Sequence, residues 1–300
     1  MCSDGAEAAC AFCGMISPLR ESHVLPAFVY RWLRGRSGTG HIRHTDAPNR
    51  RVQDGLKLKW LCGACEGKFS RYETAFAKNI FYLWLKGADR VDYNELFLKF
   101  CVSVSWRVLK YAYGRNRFAA YTEEQKILVS EAEKRWRLFL NDDAIHPGSF
   151  EQHLIIFDVV ESTTITDLPQ NFNRFMTGAI TLDIVGSDKS LLTFAKLGRF
   201  MIFGVIQKGP NKWDGTKVHV KHGTIKPDTL TIPAGLLDLF YEKATHASAA
   251  MATISDAQSA KIDDHVMRNL EKFRESDQFK AIVADARMFG EEAVIRKKRP

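Results

Sequence analysis

The chain has 300 residues, and no apolar run in it approaches the roughly 20 residues of a membrane-spanning helix. That excludes a helical membrane protein from the sequence-based expectations. Its first residues, Met1-Cys2-Ser3-Asp4-Gly5-Ala6-Glu7, lack the basic and apolar regions of a secretory signal, so the expected location is the cytoplasm, with no membrane partner. There is no internal repeat and no long low-complexity segment. A phosphate-binding glycine loop and a nucleophile elbow are also missing, which sets aside the enzymes built on those loops. Cysteine is scarce, with six residues, and in a reducing compartment paired cysteines hold metal more often than they form disulfides. Cys2 and Cys101 stand alone, and Cys101 lies in an apolar run that reads as core.

The other four cysteines form two C-x-x-C pairs, Cys10-Ala-Phe-Cys13 and Cys62-Gly-Ala-Cys65. Each pair can place two thiolates on one side of a tight turn, which suits half of a tetrahedral site. Brought together, the two pairs make a closed site with no open coordination position. The expectation is one structural Zn2+ held by Cys10, Cys13, Cys62 and Cys65. Such a site builds structure and does no chemistry.

Between the pairs the charge is uneven. The whole chain carries a net charge of +8. Residues 31–59 hold eight basic side chains (Arg31, Arg34, Arg36, Arg43, Arg50, Arg51, Lys57 and Lys59) against Asp46 and Asp54, a local excess of six. A concentrated basic surface can neutralise phosphates and attract nucleic acid. Arg34, Arg36, Arg43, Arg50 and Arg51 are the candidate contacts. The alternative is a solvated loop with no partner.

Periodicity divides the chain into four segments. Residues 1–90 form a zinc-knuckle unit. In it, Pro26 opens a helix and Gly35, Gly38 and Gly40 break it, while apolar residues recur at helical spacing from Lys68 to Leu85. Residues 91–147 read as helical, with a capping box at Thr122-Glu123-Glu124-Gln125. Residues 148–245 are strand-rich. Runs at 154–157, 179–185, 191–194 and 200–206 are joined by short turns, which favours an antiparallel meander. Lys217–His222 alternates like a further strand, and its histidines read as surface residues. Residues 246–300 return to helix, with caps at Ser255 and Ser276, and end in a basic tail, Arg296–Arg299. The expected class is α+β.

The motif series Cys10-x-x-Cys13, Ser22-His23-x-x-Pro26 and Cys62-x-x-Cys65-Glu66 resembles the HNH endonucleases with a ββα-metal fold and a zinc knuckle. The resemblance covers about residues 8–80. The same residues, with Arg51-x-Gln53-Asp54-Gly55, also resemble a set of larger bacterial proteins of unassigned function. The HNH resemblance implies a zinc-stapled ββα unit and hydrolysis of phosphodiester bonds in nucleic acid, with DNA as the expected substrate and a role in defence against foreign DNA. It implies His23 as general base, Ser22 and Glu66 at the ligand positions of a catalytic Mg2+ or Mn2+, and Asn49, Gln53 or Asp54 as the group orienting the base. Ser22 departs from the family, because a neutral hydroxyl stands where Asp or His is usual. Glu21 could replace it on a twisted or bulged strand. His23 also has a structural alternative, hydrogen bonding to a thiolate or a carbonyl. Glu66 has one as a favourable acid at a helix N-terminus, and Glu73 reads as a surface charge.

Three functions follow as expectations. The first is a metal-dependent nucleic-acid endonuclease. The second is a catalytically inactive zinc-dependent nucleic-acid-binding or adaptor protein. The third is a protein-interaction module, whose helix at 69–85 would show an exposed apolar patch to a protein partner.

Overall fold

In a computed structural model, residues 7–294 are described, except 166, 211, 227 and 228. The basic tail and Cys2 lie outside the described residues. The N-terminal unit begins with Glu7–Ala9 (β1) and Ile16–His23 (β2), an antiparallel pair closed by the first C-x-x-C turn. Pro26 then caps Ala27–Arg36 (α1), where its fixed φ suits a helix start. Ile42–His44 (β3) and Ala47–Val52 (β4) make a small hairpin. Lys57–Cys62 (β5) pairs with β2, and Gly63–Phe76 (α2) leaves directly from it. A π-type turn over Ala77–Phe81 carries the helical path on into Tyr82–Leu85 (α3).

The middle of the chain adds Val91–Asn94 (β6), Glu95–Gly114 (α4) and Glu123–Leu140 (α5). The Asn94 side chain accepts from the Leu96 amide and caps α4, so residues 91–94, which read as helical, form a strand before the helix begins. The capping box at Thr122 and Gln125 forms as expected. Gln152–Ile156 (β7), Phe172–Gly178 (α6), Ile180–Ser187 (β8), Ser190–Leu197 (β9) and Phe200–Gln207 (β10) follow. They build an antiparallel sheet of order β7-β10-β9-β8, which contains the expected meander. His222–Ile225 (β11) pairs with β6 rather than with this sheet. The residues before it form one isolated bridge, Lys217 to His153, in place of the strand read over 217–222. Gly235–Ala252 (α7), Asp256–Arg268 (α8), Leu270–Arg274 (α9) and Asp277–Phe289 (α10) complete the α+β architecture, with Ser255 and Ser276 capping α8 and α10.

The sheet is apolar on both faces because both are covered. Phe200, Ile202 and Ile206 of β10 join the cluster that contains α4 and α5. Met201, Phe203 and Val205, offset by one residue, join Phe172, Phe175, Leu236 and Phe240 of α6 and α7 on the other side. The first cluster runs without a break from Cys10 to Val218. The cysteine unit is therefore packed on the same core as α4 and the sheet. Phe12, in the first C-x-x-C turn, meets Phe69 and Trp106 edge-on at 5.0 Å each. Of the helical stretch proposed for docking, Phe69, Tyr72, Phe76, Ile80 and Phe81 are buried, and its exposed large apolar residues are Tyr82 and Leu83.

Candidate metal centre and the His23 cluster

The first knuckle turns because Gly14 accepts a φ of 76°, and its amide donates to the Cys10 carbonyl at 2.8 Å. The Ala11 amide donates to the Trp60 carbonyl at 2.8 Å, which seats this turn against β5. The second knuckle is the β5–α2 junction: Cys62 is the N-cap of α2 and Cys65 lies in its first turn. The Cys62 amide donates to Cys10 Sγ at 3.3 Å. The four sulfurs all lie within 4.8 Å of one another, with Cys13 and Cys62 3.9 Å apart. Cys10, Cys13, Cys62 and Cys65 are thus positioned to hold a metal ion. Burial pushes the Cys65 thiol well up, and the neighbouring Cys62 and Cys13 sulfurs add to it. Burial also acts against the Cys10 thiolate, but amide hydrogen bonds from Cys13, Cys62 and Phe12 outweigh it and bring this group down to about 7. A bound cation would make all four ionise together.

His23 is the last residue of β2 and lies opposite Lys57, whereas Leu19 lies opposite Cys62. The histidine is therefore at the other end of the strand pair from the sulfurs. Its Nε2 is 2.7 Å from Asp54 Oδ1. Asp54 also accepts from Lys57 Nζ at 2.6 Å and from the Gly55 amide at 2.9 Å. Burial alone would raise the Asp54 carboxyl, but the bonds from Lys57, His23 and Gly55 bring it down to about 2. The carboxylate is ionised at neutral pH and only accepts, so Nε2 of His23 donates to it, and in the neutral form of the ring the lone pair is then on Nδ1. Tyr30 stacks on the imidazole at 6.0 Å and 28°. Gly55 lets it do so: a Cβ there would stand 2.0 Å from the Tyr30 ring. Burial raises the Tyr30 hydroxyl, and the Asp54 charge raises it further.

The expected ligand positions are not gathered round His23. Ser22 is buried, with its hydroxyl 3.4 Å from the Arg20 carbonyl. The β2–β5 register shifts between Arg20 and Glu21, but pairing is regular from Glu21 through Ser22 to His23, and Glu21 is exposed. Glu66 lies half-buried in the first turns of α2, at the sulfur end. Among the described residues, the four cysteines are the one group of three or more Cys, His, Asp or Glu donors close enough to share an ion. Asn49 is used elsewhere: its Nδ2 donates to the Thr253 carbonyl at 3.1 Å, and its Oδ1 accepts from the Ser255 amide at 2.8 Å. The side chain bonded to His23 is Asp54.

The five arginines separate by role. The Arg36 guanidinium lies over the Trp32 ring, 4.6 Å from its centre, donates to the Thr177 carbonyl at 3.1 Å and has a side chain 8% exposed. Burial lowers it to about 10. Arg43 donates to the Pro48 carbonyl at 2.7 Å and to Gln258 at 3.3 Å. Arg34 donates to the Gln53 carbonyl at 3.0 Å. Arg50 and Arg51 on β4 are exposed. The loop that reads as a nucleic-acid surface is in part the seat of the C-terminal helices.

Two participants carry little sequence signal. Glu73, which reads as a surface charge, pairs with Arg107 at 2.6 Å. Arg107 comes from α4, and its place, with Lys99, as one of two cations in the apolar stretch 97–109 was the available sign that it is buried with a partner. In comparisons with family models, with curated proteins and with solved structures, nothing matches this chain.

Proposed function

We propose that this chain cleaves phosphodiester bonds in nucleic acid, DNA being the expected substrate, with His23 as general base and the ion at the four cysteines a structural Zn2+. The observation that carries the reading is the His23–Asp54 pair at 2.7 Å. An ionised Asp54 holds the proton on Nε2, so Nδ1 can take one from an attacking water. Tyr30 and Gly55 keep the ring in place. The all-thiolate shell of two C-x-x-C pairs matches the tetrahedral preference of zinc. Arg50 and Arg51 supply exposed positive charge for the substrate backbone.

The catalytic Mg2+ or Mn2+ implied by the resemblance does not match the residues present. The hydroxyl of Ser22 is enclosed, and no described donor set converges on His23 and Glu66. No step is therefore routed through such an ion. The same observation favours a second reading, a zinc-stapled nucleic-acid-binding or adaptor protein without catalysis.

A nicking assay on supercoiled plasmid, with and without Mg2+ or Mn2+, separates the two. Cleavage that falls about 10²–10⁴-fold in His23→Ala, with zinc content unchanged, supports the base. Equal cleavage by His23→Ala would refute it. Salt-dependent binding without cleavage of DNA or RNA under any of these conditions would leave the binding protein.

A further inference from the structure

The end of β2 and the middle of α2 present oxygen atoms towards each other, the His23 backbone carbonyl and the Glu73 carboxylate. The cation between them comes from outside the N-terminal unit. Arg107 of α4 donates through Nη1 to Glu73 Oε1 at 2.6 Å and to the His23 carbonyl at 3.3 Å, and through Nε to the Ser103 carbonyl at 3.2 Å. Its side chain is 3% exposed and its guanidinium lies 5.6 Å from the Phe69 ring centre. Guanidinium does not lose its proton in proteins, so this positive charge is permanent. A divalent ion brought in beside it would meet repulsion and would have to take Glu73 away from a buried partner.

We propose that Arg107 is the positioning residue of the His23 site and stands in for the divalent ion, tying β2 to α2, so that the zinc-loaded chain takes up no Mg2+ or Mn2+ there. The proposal rests on His23 being the centre of the site, and it does not require that the chain cleave anything. Four observations agree. Arg107 bridges the strand and the helix directly. Glu73 is held by it. Ser22, at a ligand position, is buried. Glu66 lies at the sulfur end.

The test is a titration of the zinc-loaded, full-length chain with Mn2+, following the spectrum of the free aqueous ion by electron paramagnetic resonance. The parent chain should remove no Mn2+ from solution. Arg107→Ala frees the Glu73 carboxylate and the His23 carbonyl and should take up one ion per chain. Arg107→Lys keeps the charge and should again take up none, a rescue that a purely space-filling role would not give. One Mn2+ bound per parent chain, and lost in Glu73→Gln or Glu66→Gln, would overturn the proposal. A folded Arg107→Ala chain that takes up none would overturn it as well. If Arg107→Ala does not fold, the parent chain and Arg107→Lys still decide. Failure to cleave nucleic acid would refute the catalytic reading and leave these titrations unmoved.

Discussion

Removing the metal from the cysteine site tests the link between the knuckles and the core. Zinc bonds of about 2.3 Å set tetrahedral sulfurs about 3.8 Å apart. The four sulfurs lie within 4.8 Å of one another, so closing on an ion asks for a contraction of about 1 Å at most. The site clips the β1–β2 turn to the β5–α2 junction, and Phe12 in that turn packs on Phe69 and Trp106. Without an ion, the knuckle is held mainly by amide bonds such as Ala11 to Trp60 and Cys62 to Cys10. An ion present at a thousandfold excess over its dissociation constant stabilises the folded state by about 4 kcal/mol. For a large domain each kcal/mol moves the midpoint by about 2–4 °C, so chelation should lower Tm by about 8–16 °C. Elemental analysis of the purified chain should find about one zinc per molecule, since four thiolates close the shell of a single ion. Thermal melts before and after chelation, with metal content measured on the same samples, give the comparison. A stripped sample that melts at the same temperature as the loaded one would refute the argument.

Asp54 should make folding stability depend on acid. Its carboxyl lies near 2 in the folded chain, below the ordinary 3.8, so its contribution is present above about pH 4 and is lost as pH falls towards 2. The side chain is 42% exposed, which reduces the effect to about 1 kcal/mol after screening. Asp54→Asn should flatten that part of a denaturation-versus-pH curve, and an unchanged slope would count against the pairing. Gly55→Ala should cost about 1–3 kcal/mol in chemical denaturation, because its Cβ would overlap the Tyr30 ring; a neutral effect would mean that the ring is not seated there. If the chain binds nucleic acid, neutralising Arg50 and Arg51 together should reduce the slope of log affinity against log salt by about two. Arg36→Ala should instead lower stability, because its guanidinium is packed on Trp32, and a weaker salt slope without loss of stability would reverse that assignment.

Local signals named many elements because they act over a few residues. Pro26 starts α1, the box at Thr122 and Gln125 starts α5, and Ser255 and Ser276 cap their helices. The alternation along residues 200–206 belongs to a buried strand whose two faces meet different helices, so both sets of side chains are apolar. The segment 217–222 also alternates, yet before His222, which opens β11, it forms a single bridge, because pairing depends on a partner edge that the segment itself does not specify.

The sequence by itself determined the pairing of the cysteines into two knuckles, since two thiols three residues apart on a turn can face one ion whatever surrounds them. It also marked His23 and placed Asp54 among the groups that could orient it. Only the tertiary structure decided that Asp54 makes the bond while Asn49 is spent on the α7–α8 junction, and that Arg107 joins Glu73 to the end of β2. These are contacts across 31 to 206 residues of chain. Charge and residue type give no direction to a side chain, and packing of α4 and the C-terminal helices against the N-terminal unit is what aims them.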